Sequence, residues 1–206
     1  MLKQAPDIGK KTQKIALYGG VFDPVHNAHL SVAKAALQGV GLDRVIFLPA
    51  ARSPHKMKAP QATDAQRMAM LRAATERELA MTVDAWELER GGISYSVETA
   101  ARFRELFPAA QLFWVIGADH WAQLPTWSRI EELSKWVEFL VVARPGYRLE
   151  PPTWPHIRHR LVAAPLFPES SSEIRERAAS GHSITGLVAP AVEAFISANN
   201  LYNCRA

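Results

Sequence analysis

Cysteine is nearly absent. Cys204 is the single thiol in 206 residues, so no intrachain disulfide can form and no cysteine-based zinc site can be assembled. No apolar run approaches the roughly 20 residues that span a bilayer. Residues 1–14 offer lysines with no apolar segment behind them, which does not read as a secretory leader. A cytoplasmic protein with no membrane partner is expected. Two nucleotide signatures are missing as well. There is no Walker A motif, and no Gly-x-Gly-x-x-Gly follows the first apolar run, which argues against kinase-like and dehydrogenase-like sites. Charge of one sign is also scarce, with 24 basic against 20 acidic residues and a net charge of +4. Most of that excess comes from Lys3, Lys10, Lys11 and Lys14 in the first 14 residues, opposed only by Asp7. The body of the chain is nearly balanced, so nucleic acid is not expected as a partner.

Apolar residues are plentiful, at 48%, enough for one domain of ordinary size. They fall in short runs that alternate with amphipathic stretches. Strands are expected at Lys14–Gly20, Arg44–Pro49, Met81–Ala85, Leu112–Gly117 and Val137–Ala143, with a sixth at Leu161–Pro165. Helices are expected at Ala28–Gly39, Thr63–Glu78, Ser94–Leu106, Glu131–Trp136, Ser171–Ala179 and Pro190–Asn199. Strands alternating with helices predict an α/β fold, a Rossmann-like doubly wound parallel sheet in a single domain. That domain runs over residues 15–202, after a flexible basic tail at 1–14 and before a short tail at 203–206. The proline-bearing stretch Arg148–Arg160 reads as a surface loop. Trp86, Trp114 and Trp136 lie in or beside strands and read as core. Ligands of such sheets sit beyond the carboxyl ends of the strands, which directs attention to Gly19–His29, Pro49–Lys56 and Gly117–Trp127.

Five clusters carry chemistry. In the first, Gly19 and Gly20 end a strand and allow backbone to approach a ligand, Pro24 stiffens the turn, and His26 and His29 open a helix. Three residues apart, the two imidazoles face the same way, at a helix end whose N–H groups already favour phosphate. A capping turn with two incidental histidines, or a His-x-x-His metal pair lacking a third ligand, are the competing readings. The second cluster, Ser53-Pro54-His55-Lys56, puts a mobile cation at Lys56 just after a strand; by itself it also reads as a basic surface loop. The third, Gly91–Thr99, places serines at a helix start, with Ser94 as the expected cap. The fourth, Ile116-Gly117-Ala118-Asp119-His120 followed by Trp127, puts a glycine at a strand end and a carboxylate suited to hydroxyl groups at Asp119. The fifth, Ser170–Arg175, sets hydroxyls at a helix start with Arg175 one turn in, another phosphate cradle.

Gly19–Leu30 resembles the signature of the nucleotidyltransferase superfamily, in which a (Thr/His)-x-Gly-His element binds ATP. The longer pattern Gly-Gly-x-Phe-Asp-Pro-x-His-x-x-His-Leu is similar to that of the nicotinate-nucleotide adenylyltransferase branch. Ala28 stands where that pattern has glycine, and slightly less room for a phosphate is expected. Ser94–Thr99 resembles the branch's Ser-Tyr-Thr-x-(Asp/Glu)-Thr segment, Pro54-His55-Lys56 its Pro-His-Lys element, and Ser170–Arg175 its Ile-Ser-Ser-Thr-x-Ile-Arg segment. Glu169 departs from an apolar position of that last segment.

The resemblance, which covers about Ile15 to Tyr202, implies a nucleotidyltransferase-type fold. It also implies adenylyl transfer from ATP to nicotinate mononucleotide, giving nicotinate adenine dinucleotide and pyrophosphate in NAD biosynthesis. It assigns ATP to Gly19, Gly20, Phe22, His26, His29, Gly117, Asp119, Ser171, Ser172 and Arg175. It assigns nicotinate mononucleotide to Gly20, Val21, Lys56, Ser96, Val97 and Trp127. Ser96 and Val97 would act through backbone N–H groups on the nicotinate carboxylate, and Trp127 by stacking on the pyridine. His26, His29, Lys56 and Arg175 become the catalytic set. Magnesium would arrive on the phosphates with most of its waters, with no ligand from a protein side chain. Asp23 would orient the glycine turn or a metal-bound water. Another acceptor (nicotinamide mononucleotide or phosphopantetheine) and a non-catalytic nucleotide-binding module remain as alternatives. Both a monomer and a homo-oligomer are compatible with the sequence.

Overall fold

The computed structural model describes residues 12–54, 58–143, 157–165 and 170–202. Six strands form one parallel sheet: β1 (Lys14–Gly20), β2 (Arg44–Pro49), β3 (Met81–Val83), β4 (Gln111–Gly117), β5 (Val137–Val142) and β6 (His159–Val162). Their spatial order is β3-β2-β1-β4-β5-β6. The chain therefore winds outward one way from β1 and then the other way from β4, the doubly wound arrangement predicted. Ladder positions alternate between the two faces, as a pleated strand requires. Ala16, Val45, Phe47, Phe113, Val115, Leu140 and Val142 point to one apolar layer. Ile15, Leu17, Ile46, Leu48, Leu112, Trp114, Phe139 and Val141 point to the other.

The first layer is covered by α1 (Asn27–Val40), α2 (Asp64–Thr75), α7 (Ser171–Ala179) and α8 (Pro190–Ala198) through Ala33, Ala36, Met70, Leu71, Ile174, Val192 and Ile196. The second is covered by α4 (Ser96–Leu106), α5 (Ala118–Ala122) and α6 (Ile130–Trp136) through Val97, Ala100, Phe103, Trp121, Ile130 and Leu133. A short α3 (Trp86–Arg90) and a 3₁₀ turn at Leu124–Thr126 complete the elements. Both are too brief to show helical periodicity, and the sequence reading contains neither.

Several boundaries move for local reasons. The third strand stops at Val83 because the Asp84 carboxylate accepts from the Trp86 N–H at 2.9 Å and starts α3. Thr63 caps α2 in a reciprocal pair with Gln66: each side chain accepts the other's backbone N–H, at 3.3 and 2.8 Å. Such a cap contributes about 1 kcal/mol. Ser94 is not the cap of α4, which begins at Ser96 after Tyr95. The edge strand is His159–Val162 rather than Leu161–Pro165. Its first three residues are exposed, and Arg160 is held by Glu138 at 2.6 Å, so no apolar run marks it in the sequence. Trp114 is buried and Trp136 packs against the second layer. Trp86 is half-buried outside both layers, with the Arg90 and Arg102 guanidinium groups 5.3 and 5.2 Å from its ring centre.

The reversal of winding positions the site. β1 and β4 are paired from Lys14↔Gln111 to Leu17↔Trp114. Beyond that point Tyr18, Gly19 and Gly20 pair with β2 alone, while Val115 to Gly117 pair with β5 alone. The two central strands part at their carboxyl ends and open a crevice, the place where such sheets bind ligands.

Candidate active site

A cavity fills that crevice, enclosing about 1120 Å³ of space, part of it open to solvent. Its lining brings together Gly19, Gly20, Val21, Phe22, His26 and His29 from the first cluster. From across the crevice come Gly117, Asp119 and Trp127, and from the α4 entrance Ser96.

The glycine turn is built by packing. A Cβ on Gly20 would stand 2.8 Å from Cζ of Phe22, and one on Gly19 would stand 3.3 Å from Cζ2 of Trp114. Phe22 has φ 51° and turns its ring inward, where it is buried against Tyr18, Phe47 and His29. Its ring centre lies 5.0 Å from that of His29 in an edge-to-face arrangement. The side chain of Phe22 thus supports a histidine as well as lining the cavity.

His26 caps α1, and its N–H donates to Nδ1 of His29 at 3.2 Å. A nitrogen that accepts carries no proton, so the neutral His29 ring carries its proton on Nε2. The two imidazole centres are 3.8 Å apart. Ala28, the second residue of the helix, also lines the cavity, with an N–H that no carbonyl of its own helix can reach. The helix start is tied down from behind, since Asn27 donates from its backbone to Leu187 O at 2.9 Å and from its side chain to Gly186 O at 2.7 Å.

Asp23 does not face the cavity. Its buried carboxylate accepts from Gln61 N at 2.8 Å, Ala62 N at 3.2 Å and Tyr202 Oη at 2.8 Å. These three protein donors tie the turn that carries Asp23 to residues 61–62 and to Tyr202. Burial, and then the neighbouring Asp23 charge, push the Tyr202 phenol far above its usual range.

Arg67 does parallel work. Fully buried, it donates from Nη1 to Val21 O at 2.7 Å and Ala50 O at 2.8 Å, and it pairs with Asp64 at 2.6 Å. It fastens the turn after β1 to the turn after β2. No sequence signal singled out Arg67 or Tyr202, because a lone arginine or tyrosine on a helix face reads as surface or core.

The fifth cluster sits beside the cavity, outside its lining. Ser171 Oγ donates to Pro24 O at 3.0 Å, and Arg175 donates to Asp23 O at 2.6 Å and to Ser172 Oγ at 3.1 Å. Ser170 caps the helix by accepting from Glu173 N at 3.2 Å. Ser171, Ser172 and Arg175 therefore grip the carbonyl side of the turn whose other residues line the cavity. Val97 buries its side chain in the second apolar layer, so only its backbone is offered to a ligand. As the first two residues of α4, Ser96 and Val97 have N–H groups without intrahelical acceptors, and Tyr95 provides no side-chain cap.

Ser53 and Pro54 line the cavity; His55, Lys56 and Glu169 lie outside the described residues. Lining residues to which the sequence reading gave no role include Glu87, Trp114 and His120. His120 stands 3.8 Å from the Asp119 carboxylate, with its ring centre 6.2 Å from that of Trp127. Glu87 is buried, accepts from Thr99 Oγ1 at 2.6 Å, and has its carboxyl pushed above the usual range by that burial. Among the described residues no group of three His, Cys, Asp or Glu side chains could hold a metal. No described helix is long and apolar enough to cross a membrane.

The cytidylyltransferase-like family model matches residues 17–177. A protein of Thermus thermophilus named as a probable nicotinate-nucleotide adenylyltransferase is 41% identical, over 92% of this chain and 99% of its own. The nicotinate-nucleotide adenylyltransferase of Bacillus subtilis is 35% identical, over 92% of this chain and 98% of its own.

The chain belongs to the nicotinate-nucleotide adenylyltransferase family.

Its fold agrees. The nicotinic acid mononucleotide adenylyltransferase of Plasmodium falciparum, solved in complex with NaAD, superposes with a TM-score of 0.78. That match covers 92% of this chain and 97% of the other at 18% identity. At that identity the likeness concerns the fold alone.

Proposed function

We infer that the chain transfers the adenylyl group of ATP to the phosphate of nicotinate mononucleotide, forming nicotinate adenine dinucleotide and pyrophosphate on the route to NAD. One observation carries this reading beyond family membership. A single cavity at the point where β1 and β4 part is lined by His26, Ala28 and His29 and also by Ser96 and Trp127. A phosphate-handling helix end and an aromatic beside an open helix start thus face one space.

The reaction requires no enzyme nucleophile. An acceptor phosphate oxygen attacks the α-phosphorus, the bond to the bridging oxygen breaks, and pyrophosphate leaves with the electron pair. Protein groups contribute alignment and charge stabilisation. His29, with its proton on Nε2, serves as a donor to the α-phosphoryl group, and His26 and the Ala28 N–H serve the rest of the triphosphate. Gly19 and Gly20 bring backbone close to the nucleotides, Gly117 leaves room for the base or ribose, and Asp119 accepts from hydroxyl groups. Lys56 supplies a cation from the loop after β2. Arg175, together with Ser171 and Ser172, supports the turn and its positive end. Ser96 and Val97 present N–H groups to the nicotinate carboxylate, and Trp127 stacks on the pyridine.

A divalent ion fits this scheme as part of the nucleotide. Among the described residues the carboxylates on the lining are Asp119 and Glu87, and Glu87 already accepts from the Thr99 hydroxyl, so these side chains form no cage. Magnesium on phosphate oxygens would lower the repulsion between the two anionic substrates.

Pyrophosphate release measured with ATP and a panel of acceptors tests the reading. Nicotinate mononucleotide should show a higher kcat/KM than nicotinamide mononucleotide or phosphopantetheine. Equal or reversed values would refute acid specificity, and no release with any acceptor would leave a nucleotide-binding module.

A further inference from the structure

Glu87 lies in the short helix α3, in a segment the sequence reading passed over, yet its carboxyl reaches the cavity lining beside Ser94 and Ser96. It is 3% exposed and accepts from Thr99 Oγ1 at 2.6 Å. Thr99 is itself fully buried in the first turns of α4. Ser94 holds the opposite side, where its Oγ accepts from Ala51 N at 3.0 Å and its N–H donates to Arg52 O at 2.9 Å. Arg52 and Ile93 form an isolated parallel bridge at the same place. Ala50 N, one residue earlier, donates to Gly20 O at 2.8 Å. Bonds therefore join the glycine turn to the loop after β2 and that loop to Ser94, just before α4, while Glu87 of α3 is bonded to Thr99 inside α4.

We propose that Glu87 is a positioning residue for the acceptor nucleotide: by holding Thr99 from α3 it fixes the first turns of α4, and with them the open N–H groups of Ser96 and Val97. This rests on the reading that the acceptor's carboxylate docks at the start of α4. The geometry explains an otherwise costly choice, since a buried carboxyl persists only where hydroxyl donors compensate its lost hydration. The Thr99 hydroxyl supplies that compensation, so the carboxyl ties α3 to α4. Arg90, paired with Glu98 at 2.8 Å, and Asp84 are charged groups acting on it, and neither replaces that hydroxyl.

The effect should fall on one substrate. Without Glu87 the α4 entrance loses its brace, while His26 and His29, held by Asn27 and Phe22, keep theirs. Glu87→Ala should raise the KM for nicotinate mononucleotide about ten- to a hundred-fold, the worth of hydrogen bonds to an ionisable group. The KM for ATP and the affinity for a non-hydrolysable ATP analogue should change less than about three-fold. Glu87→Gln keeps one carbonyl acceptor and should restore much of the loss. Thr99→Val, which removes one donor at equal size, should fall between them and serves if Glu87→Ala does not fold. The wild-type acceptor panel separates the two ideas. A wild type that does not prefer nicotinate mononucleotide sinks the acceptor reading. With that preference in place, unchanged KM values in folded Glu87→Ala and Thr99→Val overturn the positioning role. Equal rises for both substrates, or a kcat loss alone, overturn it too.

Discussion

Adding one methyl group at Gly20 should damage this enzyme more than adding it at Gly19, and the distances set the order. A Cβ at Gly20 lies 2.8 Å from Phe22 Cζ and within 3.1 Å of two further ring atoms, closer than carbon atoms pack. The ring cannot simply yield, because it is 2% exposed and meets Tyr18, Phe47 and His29. Overpacking of that kind costs about 1–3 kcal/mol, which in a domain of this size lowers Tm by roughly 2–10 °C. A Cβ at Gly19 meets only Trp114 Cζ2 at 3.3 Å, a gap that a shift of a few tenths of an ångström relieves. Gly19→Ala should therefore cost less than about 1 kcal/mol. Because Phe22 backs His29, Gly20→Ala should also lower kcat, by displacing the donor rather than by filling the cavity. A Gly20→Ala, Phe22→Leu double variant tests that cause. Trimming the ring removes the clash, so the pair should be more stable than the sum of the single effects, a coupling expected between touching residues. Calorimetry and steady-state turnover on the four proteins suffice. Wild-type Tm and kcat in Gly20→Ala, or strict additivity in the double variant, would refute the packing argument.

Two further outcomes follow from single groups. His29→Ala should lower kcat by about a hundred- to a thousand-fold with a smaller change in the KM for ATP, since loss of one preorganised donor costs ~2.7–4 kcal/mol; near-normal kcat would remove His29 from the mechanism. Glu87 should leave a pH signature on stability, because burial raises its folded-state pKa above the ordinary value of 4.5. Above 4.5 the unfolded chain loses this proton while the folded chain keeps it, so the group's contribution to stability declines as pH rises towards the folded value and is constant beyond it. Denaturant midpoints between pH 4 and 8 should therefore be flatter for Glu87→Gln than for wild type, and parallel curves would contradict the assignment.

The fold was legible where apolar runs are complete. Arg44–Pro49 is buried at five of its six positions and emerged with its bounds unchanged. His159–Val162 is exposed at three of four positions and was placed two residues late, because an edge strand covered on fewer sides carries no such run. The site divided in a similar way. Gly19, His26, His29, Gly117 and Trp127 belong to contiguous motifs, and all reach one cavity lining. Asp23 and Arg175 belong to motifs as well, yet their bonds go to backbone across separations of 38 and 152 residues. Spacing along the chain cannot reveal which of two motif residues turns inward. Glu87 and Arg67 had no motif to announce them, since both lie outside the five clusters and their bonds form only in the fold.

Those inward-facing groups share one arrangement. Arg67 holds the carbonyls of Val21 and Ala50, Asp23 holds the N–H groups of Gln61 and Ala62, and Arg175 holds the carbonyl of Asp23. Glu87 holds Thr99 of α4. Buried Asp23 and Arg67, and partly buried Arg175, bond to loop atoms beyond the strands, where regular ladders have ended and backbone polar groups lack sheet partners. An apolar side chain could fill the same volumes but would leave those groups unpaired, at roughly 1–3 kcal/mol each. A reaction that depends on alignment of two anions needs those loops rigid, since misplacement of about 1 Å can cost a hundred-fold in rate. Asp23 and Arg67 accordingly serve loop position, and in the proposed reaction imidazole, backbone N–H and aromatic groups of the cavity meet the nucleotides.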